Sequence, residues 1–91
     1  MTNIKNFVQF NIPVEVWEDE YLSLLEKCIW AVVKEHEYSY EMQLNCTDAL
    51  IGGMFNLTDE ETKNVIQSMI DFCALHAYFD DEGKRILFAV Y

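Results

Sequence analysis

Cysteine and histidine are the side chains of this chain that best suit a zinc site or a thiol nucleophile. Cys73 and His76 have the spacing of one helical turn, and we expect them at one helix end, where they could join Cys28 or Cys46 around a zinc ion. Structural zinc sites bring close ligand pairs from both halves of the site, and this chain has one such pair. A Cys28 or Cys73 nucleophile beside His76 is disfavoured, because both cysteines fall on apolar helix faces, where thiols are inert. We therefore expect no metal, no cofactor and no catalytic residue.

Two further segments contain residues that bind ions or phosphate in other proteins. The acidic run 80–83 lacks the spaced oxygen ligands of an EF-hand loop, so we expect a solvated turn. Gly52 and Gly53 lie inside a helical pattern and form no phosphate-binding loop. The 3 cysteines are odd in number and widely spaced, which predicts buried free thiols rather than a disulfide framework.

Length and charge limit the classes of function. The chain has 91 residues, of which 52% are hydrophobic, so we expect one folded domain with a single small core. With 6 Lys and Arg against 16 Asp and Glu, the formal net charge is −10. Such a surface repels phosphate backbones and anionic lipids. No apolar run has the length of a membrane span and no signal peptide is visible, so we expect a cytoplasmic protein, in the host cytoplasm if a phage encodes it.

The clearest structural signals are helix starts. Ser23 with Glu26, and Thr58 with Glu61, have the spacing of capping boxes. Thr47 or Asn45 can cap a shorter helix between them, and apolar residues recur at the helical period after each start. These signals predict three helices, over about 24–36, 48–55 and 59–75.

The remaining segments predict extended structure. Residues 7–10 indicate a short strand, and alternation over 38–44 indicates a second strand, with an anchored loop as the alternative. Asn56 suits a left-handed position after the middle helix. The final segment, 77–91, predicts a β-hairpin that turns at residues 80–83.

Three helices followed by a two-stranded wing make a mainly α fold with a small β part (α+β), the plan of a winged helix-turn-helix. We expect a single domain over residues 1–91. Its parts are an N-terminal arm over 1–22, a first helix over 23–37, a helix-turn-helix over 47–75 and a wing over 77–91.

The chain resembles winged helix-turn-helix proteins of phages and mobile elements, including the N-terminal domains of phage replisome organisers and replication initiators. Residues 12–19 and 22–27 resemble the family's entry into its first helix. Residues 47–58 are similar to its second helix and turn, with Asn56 where the family usually has Gly. Residues 81–86 resemble the wing. The resemblance implies that the helix after Thr58 is the recognition helix.

The sequence departs from this family at the positions that would contact DNA. The first turn of the recognition helix faces the groove, and DNA-binding members carry Ser, Arg, Lys, Asn or Gln there. Here it carries Asp59, Glu60 and Glu61, and the wing tip is acidic as well. Acids at a helix start are also ordinary helix chemistry. That explanation leaves unexplained why so few Lys and Arg residues compensate them.

We therefore expect a non-enzymatic, acidic phage or mobile-element protein that acts by protein–protein interaction. Its profile of size and charge resembles that of small phage inhibitors and DNA mimics, anti-CRISPR proteins among them, and a basic partner surface follows from its charge. The alternative is a DNA-binding regulator or replication-initiation accessory, a structural phage subunit is a third possibility, and a homodimer stays open. The expected partner-binding residues are Asp59, Glu60, Glu61, Lys63, Gln67, Glu18, Asp19 and Glu20. The DNA-binding alternative would use Lys63, Asn64, Gln67, Lys84 and Arg85.

Overall fold

A computed structural model describes residues 11–90 and combines α-helices with one antiparallel hairpin. The strand expected over residues 7–10 and the last residue of the expected wing, Tyr91, lie outside the described residues. The part that the structure describes is mainly helical with a small β part, in agreement with the α+β prediction. Its elements in chain order are α1 (Val14–Trp17), α2 (Leu24–Glu35), a 3₁₀ turn (His36–Tyr38), α3 (Tyr40–Asn45), α4 (Asp48–Phe55), α5 (Asp59–Asp71), β1 (Leu75–Phe79) and β2 (Arg85–Ala89).

Side-chain caps fix the helix starts where the sequence predicts them. Ser23 Oγ accepts the Glu26 amide at 3.1 Å, and Glu26 Oε1 accepts the Ser23 amide at 2.8 Å. Thr47 caps α4 by accepting the Leu50 amide at 3.1 Å. The predicted helices over 24–36 and 48–55 are therefore confirmed as α2 and α4.

The third predicted helix ends earlier than expected, at Asp71. Cys73 has a φ of +64°, and the Ala74 amide donates to the Met69 carbonyl at 2.8 Å, which is a Schellman closure. Glycine usually occupies the left-handed position, so a cysteine there conceals the helix end in the sequence. Cys73 was expected on an apolar helix face, and that expectation is wrong, because Cys73 is exposed, as is the neighbouring Phe72.

The strand predicted over residues 38–44 is also wrong. The Ser39 hydroxyl caps α3 by accepting an amide of its first turn at 3.1 Å, so a 3₁₀ turn and a short helix replace the strand. The Glu37 carboxylate accepts the Ala89 amide of β2 at 2.7 Å. The Glu37 side chain therefore satisfies a backbone hydrogen-bond donor of β2.

The hairpin is confirmed and begins two residues before its expected start. Leu75 lies opposite Ala89 at one end of the ladder, and Phe79 lies opposite Arg85 at the other. In the turn, Asp80 Oδ1 accepts two backbone amides, at 2.9 and 2.8 Å. Gly83 has a φ of +80°, a conformation that favours glycine.

One hydrophobic cluster joins the helices to the hairpin. α4 and α5 approach closely at Gly52, where an added Cβ would lie 2.7 Å from Thr62 Oγ1. The absence of a side chain at Gly52 therefore allows α4 and α5 to pack closely at Thr62. The fully buried side chains of the cluster include Val16, Ile29, Val33, Ile51, Met69, Leu75 and Leu87.

Candidate functional site

The first turn of α5 is the best-defined charged feature of the described surface. Thr58 Oγ1 accepts the Glu61 amide at 3.1 Å, and Glu61 Oε1 accepts the Thr58 amide at 2.9 Å. Asp59 and Glu60 follow the cap directly and are exposed, as Glu61 is. The capping box therefore fixes the backbone that presents these three carboxylates to solvent.

An open hollow lies beside this turn. Asp59, Glu60, Lys63 and Asn64 line it, and it encloses about 460 Å³. Lys63 is the one cation among these lining residues, beside two carboxylates. The predicted site residues Asp59, Glu60 and Lys63 are thus brought together on one open, net-acidic surface, which we call the α5 start.

Gln67 and Glu61 differ from the residues of the hollow because they have partners within the protein. Gln67 Nε2 donates to Asp71 Oδ1 at 2.9 Å, one turn further along α5. Glu61 is held by the capping box. Of the predicted contact residues on α5, Asp59, Glu60 and Lys63 are therefore the best placed to meet a partner.

The second predicted acidic group, Glu18, Asp19 and Glu20, does not join the α5 start. The Tyr21 ring, next in sequence, makes an edge contact with Phe72 at a centroid distance of 5.8 Å. Phe72 follows the last residue of α5, whose 13 residues span about 20 Å. The two acidic groups therefore lie toward opposite ends of this helix, and no surface as small as one helix turn contains both.

The cations of the DNA-binding alternative are partly occupied within the protein. Arg85 Nη1 lies 2.6 Å from Asp48 Oδ1, and Arg85 Nη2 donates to the Cys46 carbonyl at 3.4 Å. The Asp48 Oδ1 atom is buried and has no partner that meets hydrogen-bond geometry. The charge of the Arg85 guanidinium nevertheless compensates the charge of the Asp48 carboxylate. Lys84 Nζ lies 3.4 Å from a Glu82 carboxylate oxygen. Lys63 and Asn64 remain exposed at the α5 start.

The tip of the hairpin is anchored to α3 and carries negative charge. The Tyr40 hydroxyl donates to the Asp80 carboxylate. This hydrogen bond is the main reason that the pKa of Tyr40 rises to about 12, and it also holds the pKa of Asp80 below its usual range. Asp80 is therefore ionised at neutral pH, beside Asp81 and Glu82.

The thiols and histidines are dispersed. Burial raises the pKa of Cys46 to about 11 and raises that of Cys28 as well, so both thiols are protonated at neutral pH. Cys46 is buried, whereas Cys28 is only partly buried and Cys73 is exposed, which corrects the expectation that all the thiols are buried. His76 lies on β1, where its ring contacts the Tyr78 ring at 4.8 Å. Within residues 11–90, no three His, Cys, Asp or Glu side chains are placed to hold a metal ion.

The sequence reasoning missed a group of exposed apolar side chains near the α1–α2 junction. Trp17, Tyr21 and Leu24 are 54%, 79% and 62% exposed, and Phe72 beyond the end of α5 is 54% exposed. The sequence signal that could have indicated this group is the presence of large apolar side chains beside the acidic run at residues 18–20. Their exposure could not be read from the sequence, because helical periodicity does not show which face a neighbouring helix covers.

Comparisons with protein-family models, with curated proteins and with solved structures gave no match. Among the described helices, none combines the length and the apolar character that crossing a bilayer requires. The function is therefore inferred from the geometry and charge of the chain itself.

Proposed function

We propose that this chain is a non-enzymatic interaction protein whose acidic α5 start binds a basic surface on another protein. The observation that carries the proposal is the presence of exposed carboxylates at Asp59 and Glu60 on the first turn of α5, whose backbone is fixed by the capping box of Thr58 and Glu61. Carboxylates presented in this way can pair with Lys and Arg side chains that would otherwise hold phosphates.

The proposal includes a winged helix-turn-helix scaffold. α4, the left-handed turn at Asn56 and α5 follow one another as the two helices of such a motif do, and the hairpin follows in the place of a wing. α3 takes the place of the short strand that the plan usually has. On this scaffold, the α5 start would be the part that enters a DNA groove in a DNA-binding protein.

Electrostatics favour a basic protein over DNA at this surface. A carboxylate 4 Å from a phosphate costs about 4 kcal/mol at an effective dielectric constant of about 20. Asp59 and Glu60 would each face that cost, with Lys63 alone beside them in the hollow. Against a Lys or Arg side chain, the same interaction changes sign.

The biological role that fits this surface is inhibition. A protein that fills the basic groove of a nucleic-acid-handling enzyme excludes the nucleic acid from it, and the net charge of −10 supports such mimicry. A small phage or mobile-element protein that blocks a host nucleic-acid-handling protein, as anti-CRISPR proteins do, would have this profile.

The test begins with affinity capture from host lysate and identification of what binds. The partner is then titrated with the wild-type chain and with a D59S/E60S/E61Q variant, in which the amide oxygen of the introduced glutamine can still accept the Thr58 amide. The matched control is E15S/E35S/E41Q, which removes three exposed carboxylates on α1, α2 and α3 instead. We expect the first variant to weaken binding at least tenfold at low salt and the control to leave it unchanged.

Unchanged partner affinity in the D59S/E60S/E61Q variant would show that the α5 start is not the binding surface. A fluorescence anisotropy titration against a random DNA duplex at low salt tests the DNA-binding alternative. Binding at micromolar protein would favour a regulator that uses Lys63 and Asn64 over the proposed interaction protein.

A further inference from the structure

A second exposed surface lies at the opposite end of α5 from the acidic start. It consists of Trp17, Tyr21, Leu24 and Phe72, which we call the aromatic patch. Each of these large apolar side chains is at least half exposed. Isolated apolar residues are common on protein surfaces, but a group of this kind at one junction is typical of an interaction site.

Local contacts hold the patch in place. The Tyr21 and Phe72 rings meet edge to face at a centroid distance of 5.8 Å and an interplanar angle of 73°. Lys27 Nζ lies 5.4 Å from the centroid of the Trp17 ring and also donates to the Trp17 carbonyl. The rings are therefore already oriented before a partner binds, which lowers the entropic cost of binding.

The backbone also positions Leu24 and Phe72. The capping box at Ser23 places Leu24 at the first position of α2. The left-handed residue Cys73 closes α5 just after Phe72, so this ring lies beyond the helix and outside its buried face. The exposure of Leu24 and Phe72 therefore follows from where these two helices begin and end.

The charges that border the patch indicate the chemistry of its partner. Glu18, Glu20 and Asp71 lie within one or two residues of patch members and are exposed. The nearby cation, Lys27, is already bonded to the Trp17 carbonyl. A second copy of this chain would also carry a net charge of −10. Repulsion between the two negative surfaces disfavours a second copy as the occupant of the patch.

We propose that the aromatic patch binds a basic amphipathic helical segment of a partner protein. The apolar side chains of the segment would cover the exposed rings, and its Lys and Arg residues would face the acidic border. This surface is separate from the α5 start, so the proposal does not depend on what binds there.

The experiment uses a fluorescent 14-residue peptide of Leu and Lys arranged as an amphipathic helix. Its control is a peptide of the same composition in permuted order, with no apolar face. Anisotropy gives the affinities, and amide shifts in NMR spectra locate the bound peptide. We expect the amphipathic peptide to bind about tenfold more tightly than the permuted one, with its largest shifts at residues 17–27 and 71–73.

Two pairs of variants test the location. Y21S/F72S should weaken peptide binding about tenfold, whereas Y38S/F79S, which also removes one exposed Tyr and one exposed Phe, should not. E18K/E20K should weaken binding more than D59K/E60K, which makes the same charge change at the α5 start. Circular dichroism and thermal unfolding show whether each variant keeps the fold.

Equal binding of the two peptides, or equal effects of E18K/E20K and D59K/E60K, would overturn the proposal, because either result indicates nonspecific charge attraction. Unchanged binding by a folded Y21S/F72S variant would overturn it too. So would a dimer in sedimentation experiments that Y21S/F72S dissociates, because a second copy would then occupy the patch. None of these results bears on the proposed binding at Asp59 and Glu60.

Discussion

The two adjacent glycines of α4 should respond to alanine with opposite signs. At Gly52, an added Cβ would lie 2.7 Å from Thr62 Oγ1, whereas at Gly53 it would meet no atom within 4 Å. Thr62 is 1% exposed, and its hydroxyl donates to the Thr58 carbonyl at 2.8 Å. The hydroxyl therefore cannot move aside without losing a buried hydrogen bond.

The magnitudes follow from this geometry. Overpacking of a well-packed site costs about 1–3 kcal/mol, and replacing a helical Gly by Ala returns up to about 1 kcal/mol. We expect Gly52→Ala to lower the free energy of unfolding by about 1–3 kcal/mol, because moving the Thr62 hydroxyl adds about 1 kcal/mol and offsets the gain in helix propensity. Gly53→Ala should raise it by about 0.5–1 kcal/mol.

Urea unfolding followed by circular dichroism measures both changes. For a domain of this size, each 1 kcal/mol shifts the melting temperature by about 4–8 °C. A double-mutant cycle identifies the cause, since Gly52→Ala should become neutral or stabilising in a Thr62→Ala background. A Gly52→Ala variant as stable as the wild type would refute this reasoning. So would a result in which Gly52→Ala lowers the free energy of unfolding equally with Thr and with Ala at position 62, because the Thr62 hydroxyl would then not limit the space at Gly52.

Three further perturbations test other contacts of the fold. Glu37→Ala should lower the free energy of unfolding by about 1–3 kcal/mol in urea, because the Ala89 amide loses its acceptor, whereas Glu37→Gln should lose less. Cys73→Gly should raise the melting temperature, because its φ of +64° costs a non-glycine residue about 1 kcal/mol. The Tyr40–Asp80 bond should stabilise the fold between the ordinary carboxyl and phenol pKa values, and its contribution should fall below the ordinary Asp pKa and as pH approaches 12. In Tyr40→Phe, NMR titration should show the Asp80 pKa rising toward its usual range, and an unchanged value would contradict this.

Much of the helical framework could be predicted because side-chain caps are local. The boxes at Ser23 and Thr58 and the left-handed turn at Asn56 involve residues close in sequence, so their patterns specify their geometry. The acidic start of α5 could be predicted for the same reason. The hairpin followed from its turn residues.

The rest depends on contacts between distant residues. The strand expected over 38–44 is absent because Ser39 caps a helix there. The Glu37–Ala89 hydrogen bond joins residues 52 positions apart, so no local pattern could indicate it. The ion pair between Arg85 and Asp48 joins residues far apart in sequence, so no local pattern could indicate it. The exposure of Phe72 likewise depends on the left-handed Cys73, a position at which glycine is expected.

On this proposal, the α5 start occupies a basic surface in place of nucleic acid. The most direct test is displacement, in which the chain is titrated into a complex of the captured partner with labelled nucleic acid and anisotropy is followed. We expect the wild-type chain to release the nucleic acid, D59S/E60S/E61Q to require at least ten times more protein, and E15S/E35S/E41Q to match the wild type. Equal displacement by all three proteins would show that the α5 start is not the surface that displaces the nucleic acid. A ternary complex that retains the nucleic acid would show that the chain does not compete with it.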